Sequence, residues 1–212
     1  MKLVVDNNKP RSYAQGNEVV NARYSMPLAC HRLLVLALSK LRYKPGEASS
    51  RQVVVTAQDW YSTFDPKSDV IPIRRGANAY RDIAKAAKAL QITKAAAIEV
   101  PTDKGYELRN WVSKAHYQQS HGCVEVTFSE DIMPHLTNLA AEFTTGELQT
   151  VAGFQHKHSY RLYMLLRQFR QTGVRQEPVT ELQAKLCVNY PRYAMFKAKV
   201  LSPALQDIRQ CR

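Results

Sequence analysis

The chain has 212 residues, of which 45% are hydrophobic and 23% are charged, and these values exclude a largely disordered protein. It carries 30 Lys and Arg against 18 Asp and Glu, so its formal net charge of +12 indicates a polyanionic partner, most commonly nucleic acid. The longest apolar run, 33–38, is too short for a membrane span, and the four cysteines form no paired spacing, so we expect a cytoplasmic protein with reduced thiols and no membrane partner.

The first part of the chain predicts a helical unit with one β-hairpin. Residues 1–20 are polar and weakly periodic, and we expect them to form a flexible arm. Apolar residues at helical spacing after Pro27 predict a buried helix that ends at 45–46. The elements predicted next are a strand, two helices and two strands, over 52–56, 57–64, 78–90, 106–117 and 123–128. A polar turn joins the two last strands into a hairpin, Ser129 caps a further helix, and this order is typical of a winged helix.

The second part of the chain begins near Thr145-Gly146 and is predicted to be helical. We expect a helix over 158–171, in which an aromatic stripe faces the core, and a short helix over 180–186. A longer amphipathic helix runs from Tyr190-Pro191 toward 208. A short helix, a tight turn and an amphipathic helix form the helix-turn-helix arrangement. The predicted division is therefore an arm over 1–20 and two domains over 21–145 and 146–212.

The positive charge is concentrated in this second part. Residues 151–212 hold 11 Lys and Arg against three acidic residues, a net charge of +8, whereas residues 1–150 have a net charge of +4. A polyphosphate-binding surface explains this concentration better than a lysine-coated surface that serves only solubility.

The last predicted helix carries the strongest functional signal. At about 100° per residue, its polar side collects Arg192, Met195, Lys199, Ser202 and Gln206, and Lys197 lies at the edge of the apolar face. Its apolar side collects Tyr193, Phe196, Val200, Leu201, Ala204 and Ile208. Because such a basic face can reach guanine edges and phosphates in a major groove, we expect DNA contacts from this face and from the arginines of the preceding long helix: Arg192, Lys197, Lys199, Ser202, Arg161, Arg167 and Arg170. A surface helix with merely solvated lysines is the alternative, and Pro203 is expected to bend or divide the helix.

Catalytic and metal-binding patterns are weak. Two histidines flank Lys157, a spacing that resembles the metal-binding His-x-His of rolling-circle nicking enzymes, but the middle residue is charged and the segment leads into a helix, where the two side chains point apart. A second set, His116, His121 and Cys123, has irregular spacing and lacks a fourth ligand. The chain contains no Walker-type phosphate loop. We therefore expect a binding protein with no catalytic residue, no metal and no cofactor.

Six segments in a fixed order resemble one family. They are 103–107, 111–116, 124–128 with 131–136, 143–144, 160–166 and 196–201, and two weaker matches lie at 21–25 and 32–34. In these segments the chain is similar to the iteron-binding plasmid replication initiators of the RepE/RepB-type Rep family, from about residue 18 to 208.

The resemblance implies a fold and a set of partners. It implies an α+β protein with tandem winged-helix domains, of which the first mediates dimerisation and contacts the DNA backbone, and the second reads the iteron repeat in double-stranded DNA. Monomers of such a protein start theta replication, whereas homodimers bind an inverted repeat in the operator and repress their own gene. The host replication initiator, helicase and chaperones are the further implied partners. The base-reading helix falls on 192–201.

Two departures from the family pattern carry expectations of their own. Relatives have more arginines in the base-reading helix, and Lys197 and Lys199 cannot reproduce a bidentate arginine–guanine pair, so the base-reading residues stay open. Relatives also continue into a hairpin wing after the segment matching 205–208, so we expect the second winged helix to be incomplete. The alternative functions are a rolling-circle nicking endonuclease, which would use His156 and His158, and a winged-helix transcription regulator.

Overall fold

The computed structural model describes residues 12–41, 50–64, 72–92, 97–137 and 143–211. The strands are β1 (Ser12–Gly16), β2 (Gln52–Thr56), β3 (Ala97–Thr102), β4 (Gly105–Asn110), β5 (Val112–Gln118), β6 (Cys123–Phe128) and β7 (Phe143–Glu147). The helices are α1 (Asn17–Asn21), α2 (Leu28–Lys40), α3 (Ala57–Phe64), α4 (Pro72–Ile92), α5 (Pro134–Thr137), α6 (Leu148–Ala152), α7 (Ser159–Arg167), α8 (Val179–Lys185), α9 (Tyr193–Phe196) and α10 (Ser202–Gln210). A 3₁₀ turn precedes α5, and a π turn joins α9 to α10.

A winged helix forms the centre of the described chain. Its elements follow in the order α2, β2, α3, α4, β5 and β6, and the three strands make one antiparallel sheet in the order β2-β6-β5. Apolar residues on β6 at alternate positions, Val124, Val126 and Phe128, are buried, as expected for a strand with one face on a core. The α+β winged-helix class predicted from the sequence is confirmed.

The strand predicted over 106–117 is in fact two strands in different sheets. β4 pairs with β3, which the sequence analysis missed, and β5 pairs with β6. The division falls at Trp111, which is fully buried and meets the ring of Tyr24 edge-on at 5.5 Å. The alternation breaks here, since Arg109 and Asn110 are both polar and Trp111 and Val112 are both apolar, and the indole ring turns into the core between the two strands.

The arm predicted over 1–20 is wrong for residues 12–20, and residues 1–11 lie outside the described residues. β1 pairs with β7 in an antiparallel two-stranded sheet, and α1 follows it directly. Tyr13, Val19 and Val20 are buried. The sequence signal for β1 was weak because its hydrogen-bonding partner, β7, lies far away along the chain. The boundary predicted at 145–146 lies within β7, and the division into domains stays a prediction.

The second part of the described chain is helical, as predicted. α7 is shorter than its predicted range, and α8 agrees with its prediction to within a residue. The final helix is interrupted by the π turn Lys197–Leu201, in which the Ser202 N–H donates to the Lys197 carbonyl. Pro203 follows this turn and has no N–H to donate, which explains why a regular α-helix is not continuous here. The wing predicted to be missing from this part stays a prediction.

No helix of the described residues combines the length and apolar character that crossing a membrane requires. The four cysteines, all of which lie in the described part of the chain, are free thiols.

Candidate nucleic-acid interface

A rigid turn connects α8 to the final helix. Cys187 has a positive φ of 50°, and the N–H groups of Cys187 and Val188 donate to the carbonyls of Ala184 and Gln183 at 3.0 Å each. This is the Schellman motif, which usually has glycine at the left-handed position. The Gln183 side chain also accepts from the Tyr190 N–H at 2.6 Å and donates to its carbonyl at 3.3 Å. The turn therefore has little freedom, and the direction of the final helix is fixed by hydrogen bonds.

The final helix buries one side, largely as predicted. Phe196, Val200 and Ala204 are at most 2% exposed, and Phe196 also meets the ring of Tyr190 at 6.3 Å. Tyr193 departs from the prediction, because it is 55% exposed although its spacing placed it on the apolar side. It is the first residue of the helix, where the periodic pattern meets the end of the packed surface.

Asp207 holds the far end of the final helix against α7. Its carboxylate accepts hydrogen bonds from the backbone N–H groups of Gln155 and His156, both at 2.8 Å, and from the Ser159 hydroxyl at 2.6 Å. Burial acts to raise the pKa of Asp207, but these hydrogen bonds outweigh it and hold the pKa below its ordinary value. A carboxylate at the start of α7 also compensates the helix dipole, so Asp207 fixes how the final helix lies on the core.

The outer side of the final helix presents cations and one hydroxyl to solvent. All four residues predicted there are exposed: Arg192, Lys197, Lys199 and Ser202. Arg209, which the sequence analysis did not single out, is exposed as well. Among the described residues no carboxylate lies within 4.0 Å of the charged atoms of these cations. Their charges are therefore available to an external anion.

Arg161 has a different position from the one predicted. It is 1% exposed, and its guanidinium donates to the carbonyls of Val20 at 3.1 Å and Ala22 at 2.5 Å, with a longer bond of 3.4 Å to Lys185. The same group stacks on the ring of Tyr24, 3.7 Å from its centroid. This burial is not compatible with the phosphate contact predicted from the sequence. Arg161 instead connects the end of α1 and the residue that follows it to α7 and to the end of α8.

Arg167 and Arg170 differ from each other. Arg167 donates from Nε to the Thr145 carbonyl at 3.2 Å and pairs with Glu147 at 3.5 Å. Arg170 is exposed, and no ion pair of Arg170 is found among the described residues. Both line a groove of about 500 Å³ that is also lined by Ile208 from α10. Of the two, Arg170 is the one free to meet DNA.

The network beside this groove was not anticipated. Arg175 donates to both carboxylate oxygens of Glu177, at 2.7 and 3.0 Å, and to the carbonyl of Leu165 at 3.0 Å. Lys185 donates to Glu177 at 2.6 Å. Two cations that sequence counting assigns to a basic surface are thus partly buried and engaged by the protein itself.

The two histidine sets have unequal surroundings. His156 is exposed, whereas His158 is 7% exposed at the start of α7, and burial lowers its pKa to about 4. In the hairpin, His121 lies exposed in the turn and Cys123 is buried on β6. No group of three or more His, Cys, Asp or Glu with the geometry of a metal site occurs within the described ranges.

Comparison with known proteins identifies relatives over most of the chain. The family model described as initiator replication protein, WH1, matches residues 12–167. An uncharacterized 27.6 kDa protein of Escherichia coli is 23% identical, over 96% of this chain and 87% of its own length. The PI protein of Escherichia coli is 22% identical, over 99% of this chain and 77% of its own length. The crystal structure of the Pi initiator protein in complex with iteron DNA superimposes with a TM-score of 0.76 at 22% identity, covering 96% of this chain and 87% of that one.

Proposed function

This chain belongs to the initiator replication protein family, and from that premise we propose that it is a plasmid replication initiator that binds iteron repeats in double-stranded DNA. The family model covers the winged helix that the fold confirms, and the Pi initiator, which shares this fold, is seen bound to iteron DNA. A plasmid initiator acts where the plasmid is replicated, so the cytoplasm is the compartment that we propose.

The observation that carries the proposal is the free cationic side of the final helix. The hydrogen-bonded turn after α8 and the carboxylate of Asp207 hold this helix at both ends. Arg192, Lys197 and Lys199 then project from a fixed support. A duplex with one phosphate about every 1.7 Å along its axis is the natural partner for such a row of charges. Ser202 and Arg170 complete the set of residues that we propose to contact DNA.

The proposal extends to dimerisation and to partners. The family resemblance supports a homodimer that binds an operator inverted repeat and represses its own gene, with the first winged helix as the dimerising part and the second part as the reader of DNA. It also supports contacts with the host replication initiator, helicase and chaperones. We propose these roles for this chain. We also propose that it binds DNA without a catalytic step, a metal or a cofactor.

The rolling-circle nicking alternative is less well supported. Nicking through His156 and His158 would need both rings at one solvent-accessible metal site. His156 is exposed, but His158 is 7% exposed, so the two rings do not share a solvent-accessible site. A transcription regulator remains the second alternative. It would bind its DNA repeats through the same contacts as an initiator, but it would not unpair the neighbouring DNA.

The test begins with selection of duplexes from a random library by the full chain, followed by titration of the best fragment at several salt concentrations. The slope of log affinity against log salt falls by about 0.9 for each phosphate contact that is lost. We expect Lys197→Ala and Lys199→Ala each to lower the slope by about that amount. Lys104→Ala is the matched control, since Lys104 is an exposed lysine in the turn between β3 and β4.

Equal slopes for all three variants would contradict the proposed interface. Recovery of no preferred repeat from the library would contradict the proposed function itself. Chemical probing of unpaired thymines in a supercoiled plasmid that carries the selected repeats separates an initiator from a regulator, because only the initiator opens the flanking DNA.

A further inference from the structure

Two apolar side chains are exposed at the start of the proposed DNA-contacting helix. Tyr193 is 55% exposed and Met195 is 40% exposed, whereas Phe196 beside them is fully buried. Single exposed apolar residues are common on protein surfaces. Here two lie at the end of the helix that a helix-turn-helix protein inserts most deeply into a major groove, and their i, i+2 spacing directs them to different sides of that end, so each can reach a different base pair. An apolar group on a bound partner would therefore cover side chains that are now exposed to water.

The surroundings of this pair are cationic. Arg192 precedes Tyr193 directly, and Lys197 and Lys199 follow one turn later. Asp207 is the only acidic residue between 192 and 210 in the sequence, and it is 5% exposed because it faces the start of α7. The exposed side of the helix thus has positive charge and no negative charge. This complementarity favours an anionic occupant over an apolar or basic protein surface, and the proposed function makes that occupant a DNA duplex.

Within a duplex, one group fits an apolar contact from the major groove. Phosphates, sugars and the edges of guanine, cytosine and adenine present polar atoms there, and the C5-methyl group of thymine is the apolar exception. The aromatic ring of Tyr193 is rigid and the thioether of Met195 is adaptable, and both can cover a methyl group that water would otherwise surround.

We infer that Tyr193 and Met195 read the C5-methyl groups of thymines in the bound repeat. The inference rests on the proposed function and adds a specificity to it. The lysines supply affinity through phosphates, which are the same in every sequence, whereas the apolar pair distinguishes thymine from cytosine and from uracil. The repeat that the protein selects accordingly contains thymines beneath the first turn of the final helix.

The experiment replaces each thymine of the selected repeat by uracil, which keeps the base pair and the phosphates and removes only the methyl group. We expect a loss of about fourfold in affinity per contacted methyl, as for one buried carbon group. At one or two positions the loss should disappear in Met195→Ala or Tyr193→Ala, since the partner of the methyl group is then absent. Neither variant should change the salt slope, because neither removes a phosphate contact.

Lys199→Ala is the matched control. It should lower the salt slope, and the loss of affinity caused by each uracil should be the same as in the original protein. Tyr193→Phe keeps the ring and should retain the discrimination. If no uracil weakens binding, or if the loss persists equally in both apolar variants, the inference is wrong, while salt-dependent binding of the repeat leaves the proposed function intact. If no duplex is bound with preference, the proposed function and the inference fail together.

Discussion

Two arginines, one in α7 and one in the loop after it, have surroundings that differ from those of the basic residues in the final helix. Arg161 and Arg175 donate to backbone carbonyls and to Glu177 inside the protein. Lys197 and Lys199 are exposed and have no carboxylate partner among the described residues. The two groups lie within the same stretch of chain, which the sequence marks by a net charge of +8. A local excess of charge therefore locates a basic region without showing which of its residues face outward.

The difference arises from what surrounds each cation. An arginine has five donors in a rigid plane, so it can satisfy several carbonyls at a junction of segments, as Arg161 does for Val20 and Ala22. A lysine on the outer side of a helix meets only water. Cations that are bonded inside the protein should contribute to stability, whereas exposed lysines should contribute to DNA binding. Substitutions can separate these two contributions.

The largest expected effect belongs to Arg161. Arg161→Met removes the donors to two buried carbonyls and the contact with the Tyr24 ring while keeping much of the volume, so we expect the free energy of unfolding to fall by about 3 kcal/mol. Lys197→Met, the matched change on the outer side of the final helix, should alter it by less than about 0.5 kcal/mol. Urea denaturation followed by circular dichroism measures both values. Similar losses in the two variants would contradict the division between the two groups of cations.

Asp207 should produce the next largest effect. Asp207→Asn keeps the shape but loses an acceptor oxygen and the charge at the start of α7, so we expect a loss of about 2 kcal/mol near neutral pH. Because the pKa of Asp207 is lowered in the folded protein, its contribution is complete above the ordinary pKa of an aspartate and is lost as the pH falls through the lowered value. The difference in stability between the variant and the original protein should therefore shrink below about pH 4.

Ser159→Ala is the companion measurement for Asp207. It removes one of the three donors and should cost about 1 kcal/mol. A difference between Asp207→Asn and the original protein that stays constant from pH 7 to pH 3 would show that the charge of Asp207 contributes nothing.

The outer face of the final helix could be predicted from the sequence because helical periodicity assigns sides, and four predicted site residues are exposed there. Arg161 could not be placed in this way. It lies between apolar residues of α7, and its acceptors are carbonyls near residue 20, a distance along the chain that periodicity does not report. The break at Trp111 does have a signal in the sequence, because the alternation changes phase at Asn110 and Trp111, but a change of phase does not show that the strand changes its partner.

Cys187 offers a smaller effect that concerns the support of the free cations. Its left-handed conformation strains a residue other than glycine, so Cys187→Gly should stabilise the protein by about 0.5 kcal/mol after the greater freedom of glycine in the unfolded chain is included. Cys187→Ala is the control, because it removes the thiol and keeps the strain. The salt slope of DNA binding should be the same in both variants. A stabilisation by alanine equal to that by glycine would attribute the effect to the thiol and not to the backbone.

The smallest effects are expected at the border between the two groups, where Arg167 and Arg170 lie three residues apart. Arg167 is tied to Glu147 and to the Thr145 carbonyl, so Arg167→Ala should lower the free energy of unfolding by about 0.5 kcal/mol, as is usual for a surface ion pair. Arg170→Ala should leave stability unchanged, because that guanidinium has no ion-pair partner among the described residues.

For DNA binding we expect the larger effect from Arg170 and the smaller one from Arg167. A free guanidinium can neutralise one phosphate, so Arg170→Ala should lower the salt slope by up to about 0.9, whereas Arg167→Ala should change the slope much less, because Glu147 already neutralises Arg167. If the salt slope falls in Arg167→Ala and not in Arg170→Ala, an arginine in an internal ion pair can still contact DNA. The two groups of cations would then differ only in their contributions to the free energy of unfolding.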